Sequence, residues 1–84
     1  MRTVLITGSS RGIGAETARL FAKNGYNVYI NYNKSEKAAL SLLDELKDFS
    51  VHAVRADVSK SAEVEKMFSE IHGIDILVNN AGIA

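Results

Sequence analysis

Four short apolar segments alternate with three amphipathic ones along the 84 residues, and that alternation narrows the possible folds more than any other feature. The strand candidates are Arg2 to Thr7, Asn27 to Tyr32, Val51 to Ala56 and Asp75 to Asn79. Val4-Leu5-Ile6 is continuous enough to be buried on both faces, and Val28, Tyr29 and Ile30 suit a pleated surface. Between them, Ile13 to Asn24 reads as a helix, with Ile13, Thr17, Leu20 and Phe21 returning at helical steps. A second helix is expected from Lys34 to about Lys47, its apolar face made by Ala39, Leu42, Leu43 and Leu46. Asn33 should cap it, with Glu36 returning the bond in a variant capping box. The third runs from about Lys60 to Ile71, with Val64, Met67, Phe68 and Ile71 on one side. Asn24-Gly25 supplies a left-handed stop to the first helix, and Gly73 is the stop of the third. Strands alternating with helices of this length require right-handed crossovers and a parallel sheet, so the expected class is α/β.

Composition sets the outer limits. The chain is long enough for one small domain and has neither internal repeat nor linker. Ten basic and ten acidic side chains cancel, so no global field recruits nucleic acid or an anionic membrane surface. The absence of cysteine excludes disulfides and thiolate zinc sites. No apolar run approaches a membrane span, and the start of the chain leads straight into a strand segment without a signal-peptide pattern. A cytoplasmic location is the expectation.

The first strand candidate runs into Thr7-Gly8-Ser9-Ser10-Arg11-Gly12-Ile13-Gly14 and then into the first helix. Gly8 allows a tight exit from the strand, Gly12 a close backbone approach to a ligand, and Gly14 close packing of helix on strand. A helix start offers unpaired N–H groups and the positive end of its dipole, so this segment reads as a cradle for a dinucleotide pyrophosphate. The spacing is Gly-x-x-x-Gly-x-Gly, which differs from the common dinucleotide fingerprint, but the strand-before, helix-after context is met.

Sites that prefer NAD place an acid about 20 residues beyond that loop, to hold the ribose 2′-hydroxyl. Here the stretch is Asn31-Tyr32-Asn33-Lys34, with no carboxylate until Glu36. Arg11 and Lys34 are instead candidate partners for a 2′-phosphate, which favours NADP over NAD; the bland alternative makes Lys34 a solvated helix-start lysine. Asp57 follows the third strand at the sheet edge where ligands bind, with Val58 beside it. Its carboxylate either accepts a bond from an adenine amino group or caps the third helix, a task Ser59 could share. Asn79-Asn80-Ala81-Gly82 ends the fourth strand at the same edge, where small residues leave room and amides both donate and accept.

Taken together, the glycine loop, Asp57-Val58 and Asn79-Asn80-Ala81-Gly82 resemble the motifs of the short-chain dehydrogenase/reductase family, in matching order and spacing over essentially the whole chain. Within it the chain looks most like the 3-oxoacyl-(acyl-carrier-protein) reductase group, through Ser10-Arg11-Gly12-Ile13-Gly14 and Asn31-Tyr32. The resemblance implies the N-terminal half of a doubly wound Rossmann sheet, with strand order 3-2-1-4 over residues 1–84. It further implies that Gly8, Ser9, Ser10, Arg11, Gly12 and Ile13 contact the pyrophosphate and adenosine. Asp57 and Val58 would contact the adenine, and Asn80, Ala81 and Gly82 the adenosine side, while Asn79 and Asn80 brace the sheet. With Gly14, Tyr32, Asn33 and Lys34 from the reading above, these form the candidate cofactor site. The implied reaction passes hydride between NADPH and a carbonyl or alcohol carbon of a small molecule or acyl thioester.

The family's catalytic tyrosine is followed four residues later by a lysine. Tyr26, Tyr29 and Tyr32 are followed at that distance by Ile30, Asn33 and Glu36, so none fits, and neither His52 nor His72 offers a substitute. The family's catalytic serine and helix asparagine would fall after Ala84, so the chain is read as about the first third of such an enzyme, and no catalytic residue is assigned. A non-catalytic nucleotide-binding or assembly module is the alternative. The segment Ile76-Leu77-Val78 would then form an apolar sheet edge, to be covered by another segment or by a second copy in a homo-oligomer.

Overall fold

The computed structural model describes residues 1–80. Their elements follow the expected alternation: β1 (Thr3–Ile6), α1 (Gly12–Lys23), β2 (Asn27–Tyr32), α2 (Glu36–Glu45), β3 (Val51–Arg55), α3 (Ser61–Glu70) and β4 (Ile76–Val78). All three pairings are parallel, and the strand order is β3-β2-β1-β4. The fold is therefore the Rossmann-type α/β arrangement expected. Because α1 leads from β1 to one side and β4 lies on the other, the end of β1 sits at the point where strand order reverses.

Parallel strands need cover on both faces, and the core divides accordingly. Val4, Ile6, Val28 and Ile30 meet Ala15, Ala18 and Ala22 of α1, Ala39 and Leu42 of α2, and Leu46 just after it. On the opposite face Leu5 packs with Ala56, Met67 and Ile71 under α3. Val4, Leu5 and Ile6 are all fully buried, as the continuous apolar run requires.

The expected face of α1 needs correction. Ile13 and Leu20 are 68% and 64% exposed, whereas Gly14, Ala15, Ala18 and Ala22 are buried. Both sets recur at helical spacing, so periodicity alone admits either. The helix lies close over β1 and β2 through its small residues, so Ile13 and Leu20 turn outward, while Phe21 packs half-buried at the edge of the core as expected. Its far end is as expected. Gly25 adopts φ +85°, its N–H reaches the Ala22 carbonyl at 3.1 Å, and the Tyr26 N–H reaches that of Phe21 at 3.2 Å. The Phe21 and Tyr26 rings meet edge to face at 4.9 Å, the apolar contact that accompanies this type of stop.

Helix α2 also departs from expectation at its start. It begins at Glu36 with Ser35 as the flanking residue and no side-chain cap, so the Asn33–Glu36 capping box does not form. Asn33 is engaged elsewhere: its carbonyl and Oδ1 accept bonds from Arg55 on β3 at 3.3 and 3.2 Å. The rest of α2 behaves as read, with Ala39, Leu42 and Leu46 buried and Leu43 packed beside them. A bidentate pair from Arg19 to Glu45, at 2.6 and 3.0 Å, joins α1 to α2 at the surface.

Candidate functional site

The glycine loop leaves β1 over the switch point and is held from three sides. Gly8 and Gly12 both adopt φ +60°, a conformation that side-chain-bearing residues rarely take. The Gly8 N–H donates to Asn31 Oδ1 at 3.1 Å. Ser9 is fully buried and turns away from solvent; its hydroxyl donates to the Ile6 carbonyl at 2.7 Å and accepts the Asn31 N–H at 3.0 Å. From the segment just after β4, Asn80 Nδ2 donates to the Gly8 carbonyl at 3.1 Å, and the Asn80 N–H donates to Thr7 Oγ1 at 2.9 Å. Thr7 Oγ1 lies 3.3 Å from Asn79 Oδ1, so Asn79 and Asn80 do stitch the end of β4 to that of β1.

Gly14 brings α1 down onto this loop. A Cβ there would lie 2.6 Å from the Gly8 carbonyl oxygen and the Ser9 Cα, and 2.7 Å from Asn80 Nδ2. At Gly12 the reverse holds: a Cβ would meet nothing within 4 Å, because that position opens outward. The first turn of α1 contains no acidic residue, and Arg11 before it makes no side-chain cap. The helix start thus keeps its partial positive charge facing the opening.

That opening is a cleft of about 660 Å³ lined by Gly8, Ser10, Arg11, Gly12, Ile13, Tyr32, Asn33, Lys34, Ser35 and Asn80. Its size falls in the range of small-molecule sites. It carries two cations and no carboxylate. Among the described residues neither the Arg11 guanidinium nor the Lys34 ammonium has an ion-pair partner. Nine of the candidate residues converge here. Ser35 was not anticipated, because the expected helix start at Lys34 would have turned it into the first helical turn.

Four further candidates lie off the cleft. Ser9 and Gly14 are buried beneath it and shape the loop from below. Asp57 and Val58 stand at the same sheet edge, beyond β3, without lining the opening. Ala81 and Gly82 fall outside the described residues.

Asp57 closes a local turn. Its Oδ1 accepts the Ser59 N–H at 3.0 Å and the Ser59 hydroxyl at 2.6 Å, and its own N–H donates to Glu63 Oε1 at 2.9 Å. The alternative in which Asp57 caps the third helix does not hold: Lys60 is the flanking residue of α3, with no side-chain cap, and Asp57 and Ser59 bond to each other ahead of it. The Ser59 hydroxyl, and after it the Ser59 N–H, hold the Asp57 carboxyl below its ordinary value. A carboxyl depressed in the folded state contributes fully above its unfolded value of about 3.9 and loses that contribution as pH falls through the lower folded value. The gap in melting temperature between the chain and Asp57→Asn should thus be open at neutral pH and close on acidification toward the folded value. Thermal melts across that range check it, and a gap of constant size would contradict it.

His52 lies at the opposite end of the sheet, stacked on Tyr29 at 4.7 Å with Nε2 2.9 Å from Asn27 Oδ1, and has no part in the cleft. No described helix is long and apolar enough to cross a membrane.

A parallel sheet in this order, with a glycine loop at its switch point and an asparagine-rich strand end bonded to that loop, defines a class of dinucleotide-type α/β folds. Comparison with known proteins narrows it: the family model for short chain dehydrogenase matches residues 2–84, and the chain belongs to that family. It is 42% identical over 88 residues to a 3-oxoacyl-(acyl-carrier-protein) reductase, FabG, of Staphylococcus epidermidis, covering 98% of this chain and 36% of the relative. It is likewise 42% identical to 3beta-hydroxysteroid dehydrogenase 1 of Eggerthella lenta, covering 98% and 34%. Among solved structures it is similar to BdcA in complex with NADPH, with TM-score 0.88, 41% identity, and 98% of this chain and 32% of that one covered. The chain thus spans about a third of the length of the relatives it matches.

Proposed function

We propose that this chain is the cofactor-binding portion of a short-chain oxidoreductase and that it holds NADP(H) in the cleft above β1 and β2. The observation that carries the reading is the cleft's charge: Arg11 and Lys34 line it and no carboxylate does. An acid at the end of β2 would repel a 2′-phosphate, and that place is taken by Tyr32. Arg11 and Lys34 would hold the 2′-phosphate, while the backbone of Gly8 to Ile13 and the start of α1 would hold the pyrophosphate. The open position at Gly12 fits a bulky anion close to the backbone. Asp57 and Val58 would border the adenine, and Asn80 to Gly82 the adenosine side. NADPH-bound BdcA, of matching fold, supports the choice of coenzyme.

When bound, the nicotinamide would supply the hydride exchanged with a carbonyl or alcohol carbon. The FabG relatives favour 3-oxoacyl thioesters as the substrate class. Residues 1–84 then form part of one Rossmann domain. Leu77, 51% exposed on a strand paired only with β1 among the described residues, supports cover of that edge by another segment or a second copy.

Titration of the chain and of Arg11→Ala with NADPH and NADH tests the reading. Loss of a charge-assisted bond to a 2′-phosphate is worth about 1.5–3 kcal/mol, so NADPH should weaken roughly 10- to 150-fold. NADH should change far less. Equal losses would remove Arg11 from that role, and failure of the unmodified chain to bind either coenzyme would remove the coenzyme.

A further inference from the structure

The geometry points to Asn31 as a positioning residue that sets the spacing between the glycine loop and the Asp57 turn; this rests on the coenzyme reading above. Asn31 lies on β2, is 2% exposed, and does not touch the cleft. Its side chain reaches in both directions across the sheet edge. Toward β1, Oδ1 accepts the Gly8 N–H at 3.1 Å. Toward β3, Nδ2 donates to the Ala56 carbonyl at 3.1 Å and lies 3.4 Å from that of Val54. Its backbone secures the same loop a second time, through the paired bonds with Ser9 at 3.0 Å.

Gly8 opens the loop proposed to hold the pyrophosphate, and Ala56 immediately precedes the aspartate proposed to border the adenine. These segments leave β1 and β3, which are separated by β2. Among the described residues no direct hydrogen bond joins them, so the amide of Asn31 is their shared tie. The residue type follows from that duty. A short branch carrying one acceptor and two donors meets an N–H on one side and carbonyls on the other. Aspartate would keep the acceptor and lose the donors, leucine would lose both, and glutamine adds a methylene to a close-packed site. A dinucleotide has to meet both segments at once, and its affinity depends on their separation.

Two ligands separate this role from a merely structural one. Inorganic pyrophosphate engages only the glycine loop, whereas NADPH spans both segments. In Asn31→Ala, measured where circular dichroism shows the variant folded, NADPH should weaken at least about tenfold and pyrophosphate by less than about threefold. An NADPH affinity close to that of the unmodified chain, or equal losses for both ligands, would overturn the inference while leaving the coenzyme reading intact. Failure of the unmodified chain to bind NADPH would remove that reading and this inference with it. Should Asn31→Ala not fold, Asn31→Asp carries the same comparison. Whatever the variants do, nuclear magnetic resonance of the unmodified chain gives an independent answer. NADPH, and not pyrophosphate, should slow solvent exchange of the Asn31 side-chain amide protons, and an equal effect of the two would overturn the spacing role.

Discussion

Gly14→Ala should destabilise the chain by about 2 kcal/mol and abolish tight coenzyme binding. Two effects oppose each other. Alanine is the better helix former by about 1 kcal/mol, so the substitution would help at an exposed helical site. Here the added methyl would lie 2.6 Å from the Gly8 carbonyl oxygen and from the Ser9 Cα. Neither atom is the yielding tip of a side chain. Both belong to a loop held by Asn31, Asn80 and the buried hydroxyl of Ser9. The helix has to lift or the loop has to move, and with backbone atoms at 2.6 Å the overpacking cost falls at the upper end of its usual range, about 3 kcal/mol, which outweighs the propensity. For a domain of this size each kcal/mol lowers the melting temperature by about 4–8 °C. A fall of roughly 10 °C or more in a thermal melt is expected, with NADPH affinity lost in what remains folded. A melting temperature within about 2 °C of the unmodified chain would refute the tight contact.

Leu5→Ala should cost a further and separable amount, about 2–5 kcal/mol. Leu5 is fully buried, and it anchors the smaller of the two cores, with Ala56, Met67 and Ile71. Truncation leaves a cavity that so small a cluster can only partly close. With a total stability of about 4–13 kcal/mol expected for a chain of this length, the loss is a large share. It should also be one-sided. Amide exchange should accelerate most in α3, whose attachment runs through that cluster, and less in α1 and α2, which rest on Val4, Ile6, Val28 and Ile30. Uniform acceleration would show that the two faces do not loosen independently.

How far the chain could be read from residues alone differs from element to element. The span Asn27–Tyr32 is found as expected, because a run of β-favouring residues between Gly25 and a polar stretch leaves little choice. The stop at Gly25 is likewise local: a left-handed residue, two backbone bonds and one ring contact lie within six positions. Helix α1 shows the limit. Ile13 and Leu20 promise the more apolar face, and the sheet takes the alanines, because the distance between helix and strand is set by residues far away in sequence. Asn33 shows it again. As a helix cap it has a good local precedent, yet Arg55, 22 residues on, claims both of its oxygens. Asp57 keeps its side chain within its own turn, so its bond to Ser59 was within reach of a local reading. The residue flanking α3 is Lys60, three positions further on, so Asp57 does not cap the helix.

For the site, residue type and order along the chain were enough to mark the glycine loop, the cations Arg11 and Lys34, the lack of an acid at Tyr32, and the asparagines ending the fourth strand. Each is a local demand: φ near +60° at Gly8 and Gly12, or the presence or absence of a charge. Only the folded sheet decided which of these meet. It turned Ser9 inward, left Asp57 outside the cleft, and made Asn31 the link between two loops. The physical reason is range. Backbone sterics and charge act within a few residues and are written in them, whereas burial and hydrogen-bond partnership across parallel strands depend on segments more than 20 positions apart being brought to the same edge.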